Sequence, residues 1–293
     1  MKNYNLTIFD FLRLIRFKNQ IKNLIVFLPV FFAGEVSMVS QNFYLSIQVF
    51  VLFFFSTSIS YLINDFFDFD QDKVHPEKSN KIIFKKNLSK YFLLKLILIF
   101  SVFYSLSLVI LEINFVSKLL TLFYLLLVSL YSVVLKKIIY IEIIAVSIGY
   151  VVRLLSAEFT TNLYSDFLIF VIMFSSVFFV ILLKRYSELK KYVQFRKVLK
   201  SYNPKTLLYL IFANYSFVII THFYFTLQDE IYGSYGLGGV LSNVFVIMVL
   251  TKFLIAGLKQ HAFEDPTNYL FRDVVSIASI LLYVGIFSLI MYF

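Results

Sequence analysis

The chain contains no cysteine and only three histidines among its 293 residues. Without thiols it cannot form disulfides, use a thiolate nucleophile or bind zinc through sulfur. The sequence also lacks a glycine-rich phosphate loop, a Ser-His-Asp order of catalytic residues and an internal repeat. These absences exclude thiol chemistry, P-loop nucleotide chemistry and repeat architectures.

Charge is scarce as well. Charged residues make up 15% of the sequence, whereas hydrophobic residues make up 60% and aromatic residues 20%. This composition is far more apolar than that of a soluble domain of similar length. The sequence therefore indicates an integral membrane protein.

Nine apolar runs are long enough to cross about 30 Å of hydrocarbon as helices. Backbone groups in lipid must be satisfied within their own segment, so helices are predicted rather than strands. The runs lie near 24–40, 43–63, 91–111, 117–135, 138–156, 166–183, 207–226, 240–258 and 274–293. Four glycines between 233 and 239 predict a flexible outer loop. The expected fold is an all-α bundle of nine transmembrane helices, forming one domain over residues 1–293.

The 27 lysines and arginines predict the orientation. Most of them collect in residues 2–22, 73–95, 136–137, 184–205 and 259–272. By the positive-inside rule these regions, including the N-terminus, face the cytoplasm, and the C-terminus lies outside. The net charge of +10 is thus explained by the membrane topology and requires no nucleic-acid partner. We expect a multi-pass protein of the cell (inner or plasma) membrane, with residues 1–23 as a cytoplasmic interfacial segment.

A polar island from Asn64 to Lys78 follows the second apolar run and contains four aspartates. If the helix continues into the island, a stripe about 100° wide contains Asn64, Asp65, Asp68 and Asp72. Asp70 points elsewhere. Carboxylates this close repel one another unless a cation lies between them, and Mg²⁺ prefers oxygen ligands together with a substrate phosphate. The island therefore predicts a Mg²⁺ site on the cytoplasmic side.

Two other interpretations of the island remain open. The aspartates from Asp68 to Asp72 have the spacing of the first ligands of an EF-hand loop. However, Lys73 and Ser79 stand where that loop needs Gly and Glu. Alternatively, the island is a solvated acidic loop between two membrane helices. His75 is interpreted as a loop residue or a phosphate hydrogen-bond donor, because no second histidine lies at metal-ligand spacing.

The fifth apolar run carries Glu142, Gly149 and Arg153 within about 40° of one another on a helix. Charges are costly in lipid, so this face should point into the bundle. It forms either a structural ion pair or a site for an anionic substrate. Two further cations, Lys184 and Arg185, stand at the membrane boundary, level with the acidic island.

The pattern Asn64-Asp65-x-x-Asp68-x-x-x-Asp72 resembles the first aspartate-rich motif of the UbiA superfamily of intramembrane prenyltransferases. Over nearly the whole chain, the surrounding residues are most similar to the decaprenyl-phosphate phosphoribosyltransferase branch. The other matching elements are Lys22-Asn23, Asp72-x-x-His75-Pro76-x-Lys78, Tyr131-Ser132-x-x-Leu135-Lys136, Gly149-x-x-x-Arg153, Lys184-Arg185-Tyr186-x-Glu188, and Glu264-Asp265-Pro266 followed by Asp273. Ring prenyltransferases of the superfamily typically carry a second aspartate-rich motif where this chain has Lys184-Arg185-Tyr186-x-Glu188.

The resemblance implies a Mg²⁺-dependent transfer of 5-phosphoribose from phosphoribosyl pyrophosphate to a polyprenyl phosphate in the bilayer, for cell-envelope glycan (cell wall) synthesis. The implied metal ligands are Asn64, Asp65, Asp68 and Asp72. The implied catalytic residues are Asp65, Asp68, Asp72, Lys184 and Glu188. The implied substrate-binding residues are Lys22, Asn64, His75, Lys78, Tyr131, Lys136, Glu142, Arg153, Arg185 and Tyr186.

Some positions depart from the pattern of that branch. Ile82 follows Lys81 where the family usually has Arg-Pro, and Glu142 replaces an expected Asp. One alternative is therefore a UbiA-type enzyme that moves a polyprenyl group from its diphosphate to an aromatic acceptor. The alternative outside enzymology is a transporter or lipid-binding protein that uses Glu142 and Arg153 as an intramembrane pair. The oligomeric state is not defined by the sequence.

Overall fold

The structure is a computed structural model that describes residues 6–37, 39–74, 78–189, 197–259, 263 and 265–292. Within these ranges the regular structure is entirely helical. The α-helices are α1 (Ile8–Leu14), α2 (Leu28–Phe32), α3 (Gln41–Phe67), α4 (Phe69–Val74), α5 (Ile82–Lys85), α6 (Lys90–Ile110), α7 (Phe115–Val133), α8 (Ile141–Thr161), α9 (Phe167–Glu188), α10 (Pro204–Leu227), α11 (Asp229–Leu258), α12 (Pro266–Leu270) and α13 (Val274–Tyr292). Segments of 3-10 helix lie at Phe17–Phe27, Lys78–Asn80, Leu135–Lys137 and Lys197–Ser201.

Seven of the described helices are long and apolar enough to cross a membrane, namely α3 and α6 to α11. The last helix, α13, is also apolar, but its described apolar stretch is shorter. The first predicted span does not form one long helix, because Phe17–Phe27 is 3-10 helix and α2 has only five residues. Gly34 follows with a left-handed φ of 69°, a conformation that ends helices. The all-α membrane fold is confirmed, whereas the count of nine spans is not.

The segment that contains the four glycines between 233 and 239 is helical. Helix α11 begins at Asp229, and its backbone bends at Gly236, where φ is 53° and ψ is −144°. Glycine suits this position because it lacks the Cβ that would be strained there. The prediction of a loop over 233–239 is wrong, since the chain is helical on both sides of this single bend.

The packing of the chain divides it into two compact units. Unit 1 consists of Met1–Val30, Glu35–Lys136 and Val152–Tyr164, and unit 2 consists of Phe31–Gly34, Lys137–Val151 and Ser165–Phe293. Helix α8 therefore supplies its first half to unit 2 and its second half to unit 1. The assignment of residues 1–293 to a single domain stays a prediction.

Unit 1 is built around α3. This helix packs against the 3-10 segment Phe17–Phe27 and against α6 and α7. In its apolar stretch 61% of the residues are buried, compared with 22% in α6 and in α7. Helix α3 is thus enclosed by protein, while α6 and α7 present mostly apolar side chains outward. Residues 64–74 of the polar island lie at the end of this enclosed helix.

Unit 2 is built around α9 and α11. Helix α9 packs against α10 and α11, and α11 packs against α10 and α13. The contact between α9 and α11 depends on Gly257, because an added Cβ would lie 2.6 Å from Cδ2 and 2.9 Å from Cβ of Leu183. Small residues allow membrane helices to approach this closely.

We expect Gly257→Ala to destabilise unit 2 by about 1–3 kcal/mol, because the new methyl group overlaps Leu183, which is fully buried. Thermal unfolding of the purified protein in detergent, followed by circular dichroism, measures the effect. Gly285→Ala is the matched control, since nothing lies within 4 Å of a Cβ at that position. Equal Tm values for wild type and Gly257→Ala would contradict the close contact.

Candidate active site

The aspartates of the island lie where α3 passes into α4. Helix α3 ends at Phe67, and Asp68 is its C-cap, with φ −88° and ψ 0°. The amide of Asp68 still donates to the carbonyl oxygen of Asn64 at 2.9 Å, and the amide of Asp72 donates to that of Asp68 at 2.8 Å. Helical spacing therefore continues through the boundary, and the predicted stripe of acidic side chains is retained.

Lys81 brings two of the aspartates together. Its Nζ lies 2.6 Å from Oδ1 of Asp65 and 2.6 Å from Oδ2 of Asp72. Nη2 of Arg16 lies 2.6 Å from the same Oδ1 of Asp65. Asp72 is only 2% exposed, so its charge is balanced by the ammonium group rather than by water. The two carboxylates converge on one cationic centre.

The remaining two aspartates have other partners. Oδ1 of Asp68 lies 2.5 Å from Nζ of Lys136, in the 3-10 segment after α7. The side chain of Asp70 is 82% exposed and lies 3.5 Å from Nζ of Lys90. An ion pair this exposed contributes little to stability. Asp68 lies on the same helical stripe as Asp65 and Asp72 but pairs with Lys136, whereas Asp70 points away from the stripe, as the helical spacing predicts.

The chemistry of these oxygens fits Mg²⁺. Asp65 and Asp72 already surround one cationic atom at 2.6 Å each, and a small divalent cation prefers such oxygen ligands. Among the described residues, no group of three His, Cys, Asp or Glu side chains is arranged to hold one ion. This geometry therefore suits an ion with few protein ligands that takes the rest from water and substrate oxygens, as Mg²⁺ commonly does.

A second buried polar network in unit 1 surrounds Arg153. Its Nε donates to Oδ1 of Asn23 at 2.8 Å, and its Nη2 donates to the hydroxyl of Tyr124 at 2.8 Å. The side chains of Asn23 and Thr57 both donate to Oε1 of Gln20 at 2.7 Å. These contacts fix the guanidinium group inside the protein, where an isolated charge would be costly.

Glu142 stands at the start of α8 and is completely buried. Nε of Arg185 lies 2.7 Å from its Oε1, and the hydroxyl of Tyr202 donates to the same oxygen at 3.1 Å. Nη1 of Arg185 also binds Oε2 of Glu188, one turn farther along α9. Nζ of Lys184 lies 3.9 Å from Oε1 of Glu188. We call Glu142, Arg185 and Glu188 the acid–arginine cluster.

The acid–arginine cluster changes the interpretation of Glu142. Along α8, about 16 Å of helix rise separates Glu142 from Arg153. That distance is too long for the ion pair that the sequence left open, so this alternative is wrong. Arg185, which the resemblance assigned to substrate binding, lies between two carboxylates.

Tyr202 completes the surroundings of Glu142 and follows the 3-10 segment Lys197–Ser201. Its hydroxyl oxygen accepts from the backbone N–H of Tyr140 at 3.2 Å, and the two rings meet edge to face at 5.3 Å. Burial and then the negative charge of Glu142 raise the pKa of Tyr202. The hydroxyl therefore stays protonated at neutral pH and donates a hydrogen bond to Glu142.

The other predicted site residues are spread over both units. Lys22 is half-buried within Phe17–Phe27, and Tyr131 is half-buried near the end of α7. Tyr186 packs against the apolar core of unit 2. His75 lies outside the described residues, and for Lys78 only the backbone is described, at the start of a 3-10 segment.

Two acidic residues of the last matching element have structural partners. Asp265 caps α12, because its Oδ1 accepts from the backbone N–H groups of Thr267 and Asn268 at 3.1 and 3.2 Å. Asp273 lies 3.1 Å from Nζ of Lys252. Glu264 lies outside the described residues. Helix capping and an ion pair account for the contacts of Asp265 and Asp273.

The comparison with known families identifies the fold. Residues 24–268 match the model of the UbiA prenyltransferase family. The chain belongs to this family. Membership in the UbiA prenyltransferase family, together with the long apolar helices, makes the chain a multi-pass membrane enzyme and argues against the transporter alternative. The specific branch of phosphoribosyltransferases is not confirmed by this match.

Solved structures share the UbiA fold with this chain. A UbiA homolog from Archaeoglobus fulgidus bound to GPP and Mg²⁺ is 16% identical with a TM-score of 0.67, covering 97% of this chain and 100% of its own. The same homolog bound to DMAPP and Mg²⁺ is 15% identical with a TM-score of 0.66, and the match covers 95% of this chain and 99% of the homolog. Digeranylgeranylglyceryl phosphate synthase is 17% identical with a TM-score of 0.61, and the match covers 97% of this chain and 96% of the synthase. At these identities the likeness establishes the fold. No curated protein sequence matches the chain significantly.

Arg185→Met should destabilise unit 2 by about 3–5 kcal/mol, because it removes the cation that lies between two buried carboxylates. Adding Glu142→Gln should recover part of the loss, since one of those negative charges then disappears. Thermal unfolding in detergent measures both variants.

Tyr202→Phe is the milder control, because it leaves Arg185 between the two carboxylates and deletes two hydrogen bonds of about 1 kcal/mol each. A double variant that is as unstable as the sum of its single variants would argue against an energetic coupling of Glu142 with Arg185.

Proposed function

We propose that this UbiA-family enzyme is a Mg²⁺-dependent transferase that cleaves a diphosphate donor and passes the released group to an acceptor in the membrane. The observation that carries the proposal is the convergence of Asp65 and Asp72 on one cationic centre, at 2.6 Å each. Asp68 follows the same helical stripe and adds a third carboxylate. We place these aspartates on the cytoplasmic side from the distribution of Lys and Arg along the sequence.

The side chains around this centre suit a leaving pyrophosphate group. Asp65 and Asp72 would hold Mg²⁺, with Asn64 and Asp68 beside them on the helical stripe, and the bound ion would neutralise negative charge on the leaving group. Arg16, Lys81 and Lys136 already contact these carboxylates. They would offer the phosphate oxygens a guanidinium group with several donors and two ammonium groups.

We propose phosphoribosyl pyrophosphate as the donor and a polyprenyl phosphate as the acceptor. The bond between the anomeric carbon of ribose and the pyrophosphate oxygen breaks, and its electron pair leaves with pyrophosphate. An oxygen of the acceptor phosphate forms the new bond to that carbon. The acceptor is already an anion, so no proton has to be removed and no general base is needed.

The acid–arginine cluster supports this donor over a prenyl diphosphate. A second aspartate-rich motif, typical of ring prenyltransferases, would need carboxylates available to a second metal ion. In this chain, Glu142 and Glu188 both bind Arg185. Carboxylates paired with a guanidinium group are poor ligands for a second metal ion, so we assign no metal ion to this cluster.

The second candidate function is transfer of a prenyl group from its diphosphate to an aromatic acceptor. Two of the structures that share the fold are bound to GPP or DMAPP together with Mg²⁺. The same aspartates would serve this reaction, because pyrophosphate leaves in both. The two functions differ in the group transferred and in the acceptor, so a paired assay separates them.

The test supplies purified protein in detergent with Mg²⁺ and two donor–acceptor pairs. One pair is labelled phosphoribosyl pyrophosphate with a polyprenyl phosphate, and the other is a labelled prenyl diphosphate with 4-hydroxybenzoate. We expect labelled lipid from the first pair. Asp68→Asn should lower the rate about 100-fold or more, because it weakens the charge stabilisation of the leaving group.

Asp70→Asn is the matched control in the same island, because its side chain is 82% exposed and points away from the cluster. It should retain wild-type turnover. If only the prenyl pair gives product, the proposed donor is wrong, but the cleavage of a diphosphate donor is supported. No product from either pair with folded protein, or equal loss in both variants, would overturn the proposal.

A further inference from the structure

Lys81 is absent from the site residues implied by the resemblance, yet it is central to the aspartate cluster. It stands at the N-cap of α5, and its side chain is 25% exposed. The two carboxylate oxygens that it contacts belong to side chains that are 13% and 3% exposed, Asp65 and Asp72 respectively. The lysine thus reaches from a more exposed position into a nearly buried acidic pair.

We propose that Lys81 is a positioning residue for the metal site: its ammonium group holds Asp65 and Asp72 together until a divalent ion binds them. The lysine and the ion then compete for the same oxygens. When the ion binds, the ammonium group of Lys81 moves away from the two carboxylates. This inference rests on the proposed Mg²⁺-diphosphate function and adds to it a lysine of the chain that competes with the metal ion.

The first argument is geometric. Both oxygens lie 2.6 Å from one nitrogen, so they are no more than 5.2 Å apart. A Mg²⁺ ion binds oxygen at about 2.0–2.1 Å, so an ion bound to both would hold them within about 4.2 Å of each other and occupy nearly the position of the ammonium nitrogen. An ion and Lys81 Nζ cannot occupy this position together, because two cations would then be in contact.

The second argument is electrostatic. Asp65 and Asp72 carry two negative charges, and Lys81 and Arg16 supply two positive charges against them. These described ion pairs set one positive charge against each carboxylate. Without Lys81, the two nearby carboxylates would repel one another and separate. A divalent ion replaces the positive charge of Lys81 and so makes the release of Lys81 favourable.

The third argument concerns which cation leaves. Arg16 also contacts Asp65, but its guanidinium group lies 4.8 Å from the centroid of the Tyr61 ring. This cation–π contact restricts the guanidinium group. Lys81 is a flexible side chain with a single compact charge, which reorients more easily than a stacked guanidinium group. Once released, it is available to the phosphate groups of the donor.

The experiment measures the reactivity of lysine side chains in the wild-type protein. Purified protein in detergent is reductively methylated with formaldehyde in EDTA or in Mg²⁺, and the modified peptides are quantified by mass spectrometry. We expect methylation of Lys81 to rise several-fold in Mg²⁺. Lys86 is the matched control, because it lies on the same segment and its Nζ lies 3.1 Å from Oδ2 of Asp10. Its methylation should not change.

A second measurement follows the metal itself. Electron paramagnetic resonance of Mn²⁺ reports the free ion in the presence of wild type, Lys81→Met and Asp72→Asn, with no donor added. We expect Lys81→Met to bind Mn²⁺ several-fold more tightly, because its competitor is gone, and Asp72→Asn to bind it at least tenfold more weakly.

The outcomes separate the inference from the function on which it rests. If wild type binds Mn²⁺ and Asp72→Asn does not, but Mg²⁺ leaves the methylation of Lys81 unchanged, the role of Lys81 is overturned and the metal site stands. If wild type binds no Mn²⁺, both the proposed metal site and the proposed role of Lys81 are wrong. The methylation arm needs no variant, so a folding defect in Lys81→Met cannot hide the result.

Discussion

Charge buried in a membrane protein must be compensated by the protein itself, because lipid provides no water to solvate it. Asp72 in unit 1 and Glu142 in unit 2 are 2% and 0% exposed, and each lies within ion-pair distance of a cation. The same requirement affects which helices are enclosed. In α3 and α8, which carry Asp65 and Glu142, 61% of the apolar stretch is buried, compared with 22% in α10.

Enclosure of α3 and α8 follows from the residues that they carry. A helix with acidic or guanidinium side chains along one face must be covered by other helices, whereas a purely apolar helix is stable against lipid. Small hydroxyl residues help to cover α8: the side chain of Ser117 donates to the carbonyl oxygen of Ser156 at 2.7 Å, which brings α7 close to it. In α3 and α8, polar side chains and enclosure by protein thus occur together.

The sequence was sufficient to predict the all-α membrane fold and the stripe of Asp65, Asp68 and Asp72, because both follow from helical periodicity and composition. It was not sufficient to identify Tyr202 or Lys81. A tyrosine after a basic loop and a lysine among many lysines carry no local signal, and only tertiary packing brings them to Glu142 and to the aspartates. The loop predicted near Gly236 failed because glycine-rich sequence is common to loops and to helices that bend once.

The two acidic clusters use arginine and lysine differently, and this difference bears on the chemistry that each can support. In unit 2, Arg185 is one turn from Glu188 on the same helix and is 3% exposed, so its guanidinium group has little freedom to move. In unit 1, the cation between Asp65 and Asp72 comes from another segment and is 25% exposed. A fixed guanidinium group keeps two carboxylates occupied, whereas a lysine on a flexible stem can exchange with a metal ion. Exchange of ligands is therefore favoured at the aspartates and not at the acid–arginine cluster.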